Sequence, residues 1–189
     1  MDKEIKGYKS SKRKEKSNYN WIIKITVLAF LISLFFSFAS ESVIPNVNII
    51  VGIILVLLFI LIGVLFDMVG IAVTAADEAP FHSMNSRKVK GAKVGVIFKK
   101  NADKVSSFCN DVIGDVCGII SGSAGAIIAS NLSSIFNIDV FVITLLITAL
   151  IAALTIGGKA IGKSIAINNS NVILYEFAKI VSIFYKPKK

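Results

Sequence analysis

Soft-metal ligands and activated nucleophiles are scarce in this chain of 189 residues, which has one histidine, His82, and two cysteines, Cys109 and Cys117. That scarcity excludes a zinc or copper site, because those metals take imidazole and thiolate ligands in clusters. Nothing resembles a hydrolase triad, a Walker loop or a dinucleotide fingerprint. Without a nucleophile beside a base, an enzyme acting on lipid is disfavoured, and the chain reads as a non-enzyme. Cys109 and Cys117 lie two turns apart in an apolar stretch and read as buried, inert thiols. His82, next to Pro80 at the start of a polar loop, reads as a surface residue.

What is abundant is apolar: 54% of residues are hydrophobic, more than a soluble domain of this size can bury. The chain is therefore an integral membrane protein. Four spanning segments are expected, Trp21 to Ala39, Ile49 to Val73, Val105 to Leu132 and Val140 to Ile156. Each is near or above the ~20 residues a helix needs to cross, and backbone satisfaction in lipid makes them helices. The expected fold is all-α, a polytopic bundle of about four transmembrane helices with a C-terminal juxtamembrane helix.

Two connections, Ser40 to Asn48 and Ser133 to Asp139, contain no Lys or Arg, whereas all 21 basic residues fall in or beside three other segments. The first is Lys3, Lys6, Lys9, Lys12, Arg13, Lys14 and Lys16, with Lys24 at the membrane edge. The second is Arg87, Lys88, Lys90, Lys93, Lys99, Lys100 and Lys104, and the third Lys159, Lys163, Lys179, Lys186, Lys188 and Lys189. The positive-inside rule then places both termini and the long middle loop in the cytoplasm of a multi-pass plasma-membrane protein. Topology thus accounts for the net charge of +9. Clusters such as Lys12 to Lys16 suit anionic headgroups, and nucleic-acid binding is not supported, for no aromatic platform accompanies the basic residues.

The first segment has a rival reading as a signal peptide, since a basic stretch and an apolar run end in Ser37-Phe38-Ala39. Its apolar core exceeds the usual ~7 to 15 residues, which favours an uncleaved anchor, and cleavage would leave the other helices oriented the same way.

Carboxylates inside the apolar runs are the chemical signal, because a charge in hydrocarbon marks a functional site. At about 100° per residue, Asp67, Thr74 and Glu78 fall on one helix face, with Asp67 roughly 27 Å along from Ile49. Asn110, Gly114, Gly118 and Gly122 recur every four residues, with Asp111 and Asp115 on the adjoining flank. Gly114, Gly118 and Gly122 read as a helix-packing seam. Two carboxylates one turn apart repel, so one is protonated or a cation sits beside them. The oxygen-only set of Asp67, Thr74, Glu78, Asn110, Asp111, Asp115, Ser121 and Ser123 suits a hard cation such as Mg²⁺ or Ca²⁺. The structural alternative is pairing of these acids with Lys159, Lys163 or Lys104, or helix capping.

The fourth segment has Thr144, Thr148 and Ala152 at four-residue spacing and ends in Gly157-Gly158, expected to weaken or break the helix, where a break lining a cavity would free backbone carbonyls for a cation. Ser170 to Tyr185 reads as a helix along the inner membrane surface, with Val172, Ile173, Phe177, Ile180 and Phe184 on its apolar side. A short amphipathic helix is expected around Val89 to Lys99 in the connector.

From Phe66 to Tyr185 the order of features resembles the transmembrane domain of the CNNM and CorB/CorC magnesium transporters. Ala75-Ala76-Asp77-Glu78-Ala79 is similar to that family's Ser-Gly-Ser-Glu-Thr-Ala-like motif, and Cys109-Asn110-Asp111 to its Gly-Asn-Asn-like motif. Gly158-Lys159-Ala160-Ile161-Gly162-Lys163 is similar in spacing to its Gly-Glu-x-x-Pro-Lys. The resemblance implies a homodimeric Mg²⁺ transporter with an inward-facing acidic cavity, the ion meeting Glu78, Asn110 and the Gly158 backbone. Three departures stand out: Lys159 replaces the family's Glu, Gly162 its Pro, and Ala75 and Asp77 its serines. The cytoplasmic CBS pair has no counterpart in these residues.

The expected organisation is a basic tail over residues 1–20, an extra transmembrane helix or signal sequence over 21–40, a CNNM-like core over 46–165 with its connector at 80–104, and a juxtamembrane helix with a basic tail over 166–189. The expected function is Mg²⁺ or similar divalent-cation transport with Asp67, Glu78, Asn110, Asp111, Asp115 and Gly158 as ligands. The alternative is a non-transporting membrane module that senses ions or assembles through the Gly114, Gly118, Gly122 seam.

Overall fold

The computed structural model describes residues 19–43 and 47–185. The lysines and arginine from Lys3 to Lys16, together with Lys186, Lys188 and Lys189, lie outside the described residues, so the expectations for them have no structural counterpart.

Among the described residues every regular element is helical. Asn48 opens α2 (Ile49–Ala75), its side-chain oxygen accepting from the Ile50 amide at 3.1 Å. Asp139 opens α6 (Val140–Asn168) in the same way, accepting from the Phe141 amide at 2.7 Å. Each carboxylate or amide oxygen satisfies a backbone donor that the first turn leaves without a partner. Between them α5 (Ala102–Phe136) ends on Asn137, which adopts the left-handed conformation at φ 52° that commonly terminates a helix. With α1 (Tyr19–Val43), these are four helices long and apolar enough to cross a bilayer, and the chain is a multi-pass membrane protein.

The spans run longer than the apolar runs alone define: α2 continues to Ala75 and α5 from Ala102 to Phe136. The larger difference is at Gly157 and Gly158, where α6 passes without a break to Asn168. The bilayer and neighbouring helices override the weak intrinsic helix preference of glycine. The glycines serve close approach instead. A Cβ on Gly158 would stand 2.8 Å from Val64 Cγ2, and one on Gly162 would stand 2.7 Å from Met68 Cγ, so α6 lies tight against α2.

Helix α2 is the hub, in contact with both α5 and α6. Val56 and Ile60 of α2 pack with Ala124 and Ile128 of α5 and Ile151 of α6. Nearer the other end, a Cβ on Gly63 would stand 3.1 Å from Cys117 Cβ and 3.3 Å from the Gly114 carbonyl. Over half of the apolar window of α5 is buried and none of that of α1, so α1 is a peripheral helix leaning on a three-helix core.

A second layer closes the basic end. The connector forms α3 (Ala79–Ser86) and α4 (Ala92–Lys100), two helices where one was expected. They join α7 (Ser170–Phe184), which follows α6 after the single residue Asn169. Phe81, Val96 and Leu174 pack against Val73 and Ala76 at the end of α2. Gly91, at φ 87°, backs onto α7 so closely that a Cβ would stand 2.8 Å from Lys179 Cα, a place only glycine fills without strain. The face of α7 that packs on protein carries Leu174, Phe177 and Ala178, while Val172, Ile180 and Phe184 of its apolar side are exposed.

Candidate functional site

The three core spans bring two of the sequence's intramembrane acids together through a lysine. Lys159 Nζ of α6 lies 3.3 Å from Asp115 Oδ1 of α5 and 3.8 Å from Asp67 Oδ1 of α2. The first contact is also a hydrogen bond donated by Lys159; the second is an ion pair at longer range. Asp67 is the more enclosed partner, 14% exposed, and Asp115 the more open, 65% exposed. Of the three lysines weighed as partners from the sequence, Lys159 is the one that bridges these acids. Its position follows from the uninterrupted α6, since a break at Gly158 would have released the following turn from α2 and α5.

Asp111 does not share this space. Residues Phe108–Gly114 form a π-helical turn inside α5. With i→i+5 bonding, residues four apart no longer stack as they do in an α-helix. Asp111 instead lines a cleft of about 300 Å³ with Ser107 and with Trp21 and Thr26 of α1. The same turn carries Asn110, whose Nδ2 donates to Ser106 Oγ at 3.4 Å. Its Oδ1 is buried without a hydrogen-bond partner and presses against Gly70 of α2. A buried carbonyl oxygen left unpaired is uncommon in native proteins.

Glu78 is not on the Asp67 face. Helix α2 ends at Ala75, with Ala76 in extended backbone, so the helical alignment of Asp67, Thr74 and Glu78 fails after Thr74. Lys99 helps to end the helix there, its Nζ donating to the Val73 and Thr74 carbonyls at 3.2 and 2.9 Å. The Asp77 amide donates to Asn171 Oδ1 of α7 at 2.9 Å, which fixes the turn. Glu78, exposed before α3, pairs with His82 Nε2 at 2.9 Å. The hydrogen bond from His82 holds the Glu78 carboxyl below the ordinary glutamate value.

The expected ligands are thus dispersed. Asp67 and Asp115 meet at Lys159, Asn110 packs on Gly70, Asp111 faces α1, Glu78 faces His82, and Gly158 packs on Val64. Among the described residues no three His, Cys, Asp or Glu side chains converge as a metal centre would need.

Within the chain, the Gly114, Gly118 and Gly122 seam is packed at one of its three positions. Gly114 is packed near Gly63, but Cβ atoms on Gly118 and Gly122 would meet nothing within 4 Å. The seam within the chain runs instead through Gly63, Gly70, Gly158 and Gly162. The four-residue spacing of Gly158 and Gly162 was a legible sign of it. Cys109 and Cys117 are buried free thiols, in keeping with their sequence reading.

Comparison with known proteins adds no relative from which function could be carried over: no family model, curated protein or solved structure matches the chain.

Proposed function

We propose that this chain is a non-transporting membrane module, built on the plan of a CNNM/CorC-type core, in which a lysine of the protein itself occupies the acidic site. The observation that carries the reading is Lys159 Nζ between Asp115 and Asp67, at 3.3 and 3.8 Å. A divalent ion held by the same carboxylates would stand a few ångströms from that ammonium. At 4 Å and an effective dielectric near 20, two unit charges repel by about 4 kcal/mol, and a divalent ion doubles that. The module then acts by assembling in the membrane, with no covalent catalysis. The open Gly118 and Gly122 face of α5 supports assembly with a second copy as a homodimer, because small residues let helices approach. Positive-inside charge supports a plasma-membrane protein with both termini in the cytoplasm.

A second reading, transport of Mg²⁺, draws on the unpartnered Asn110 Oδ1 and the open Asp115, two hard oxygens suited to that ion. In that reading Lys159 leaves the carboxylates when the ion arrives. Calorimetric titration of Mg²⁺ into the purified chain in detergent separates the two. The closed-site reading expects no saturable binding to the wild type and its appearance in Lys159→Gln. Saturable wild-type binding, lost on combining Asp67→Asn with Asp115→Asn, would replace it with the transport reading.

A further inference from the structure

We infer that the α3–α4 loop and the exposed face of α7 together form a binding surface for anionic phospholipid headgroups in the leaflet at the basic end of the bundle. Residues 79–102 carry six Lys and Arg residues and no Asp or Glu. One of these, Lys99, is spent on the carbonyls of α2. Arg87, Lys88 and Lys90 are exposed, on the loop that Gly91 closes against Lys179. Three cations therefore lie within four residues of the tight backbone contact between Gly91 and α7.

Beside them α7 presents Val172, Ile180, Ile183 and Phe184, all exposed, with Phe184 at 88%. The depth of this face identifies its occupant. The Phe177 ring of α7 meets the Phe66 ring of α2 at 6.2 Å between centroids. Phe66 lies roughly 26 Å of helical rise from the start of α2, close to the far edge of a ~30 Å hydrocarbon core. Helix α7 thus lies where acyl chains give way to headgroups, its apolar side chains at the level of the former and the basic loop beside the latter. An amphipathic helix with adjacent cations at that depth binds by apolar immersion together with attraction to anionic lipid. Charge decides between lipids, since zwitterionic phosphatidylcholine offers the apolar contact without the net attraction.

The test uses the full chain in bilayers with spin-labelled phosphatidylglycerol or phosphatidylcholine, read by electron paramagnetic resonance as relative association. The wild type should prefer phosphatidylglycerol. The combined Arg87→Gln, Lys88→Gln, Lys90→Gln variant should lose preference by on the order of fivefold per charge removed. Unchanged preference in that variant, or a loss seen only on neutralising Lys12, Arg13, Lys14 and Lys16, overturns the inference. Independently, a Phe184→Cys variant labelled with the fluorophore NBD, with Cys109 and Cys117 buried, should emit as in an apolar setting and be quenched by lipid-borne nitroxides. Water-like, unquenched emission would equally overturn it.

Discussion

Lys159 donates to Asp115 on one neighbouring helix while standing 3.8 Å from Asp67 on another, so one ammonium ties α6 to both α5 and α2. A lone carboxylate as enclosed as Asp67 is costly in a low-dielectric setting, and removal of its cation exposes that cost. Lys159→Met should destabilise the chain by about 1 to 3 kcal/mol in detergent unfolding, less than for a fully buried pair because Asp115 is open. Adding Asp67→Asn and Asp115→Asn should restore most of the loss. A triple variant as unstable as Lys159→Met would show that the lysine acts through packing alone.

Glycine substitutions should separate the packed seam from the open one. Gly63→Leu must push a side chain into Cys117 and the Gly114 carbonyl and should cost about 1 to 3 kcal/mol or prevent folding. Gly118→Leu meets open space and should leave the stability of the monomer within about 0.5 kcal/mol of wild type. If the chain assembles through that face, Gly118→Leu should nonetheless shift its mass in detergent from dimer to monomer by light scattering.

The end of α2 depends on a side chain from another element. Lys99→Met leaves the Val73 and Thr74 carbonyls without their charged donor, beside the buried Val73. A loss of about 1 to 2 kcal/mol is expected, with faster amide exchange across the last turn of α2 and across α4. Exchange confined to α4 would mean the carbonyls had found water instead.

Glu78 should make a small, signed contribution to pH dependence. Its carboxyl is held below the ordinary value of 4.5 by the His82 hydrogen bond, so its contribution is full above that value. It declines as pH falls through the lowered value in the folded protein, because protonation removes the carboxylate that His82 favours. Thermal midpoints between about pH 3 and pH 6 should therefore fall more steeply in the wild type than in Glu78→Gln. Parallel profiles would remove the pair from any role in acid sensitivity.

Much of the architecture was legible because it is local. The apolar runs fix the spans, since lipid requires every backbone group to bond within its own helix. Asn48 and Asp139 mark helix starts through contacts two residues away. Asp67, Asp111 and Asp115 announce themselves as acids inside apolar sequence, and Lys159 was already among their candidate partners. The continuation of α6 past Gly157 was not legible, because helix propensity is a property of the residue whereas the tight contacts with Val64 and Met68 belong to another helix.

The sequence by itself determined a membrane-spanning helical chain with acids in its spans and cations gathered at particular segments, for hydrophobicity and charge are readable residue by residue. Only the tertiary structure decided which acids meet. Asp111 lines the cleft against α1, the end of α2 at Ala75 removes Glu78, and the uninterrupted course of α6 brings Lys159 between Asp67 and Asp115. Each depends on where one helix ends or crosses another, which no single stretch of sequence encodes.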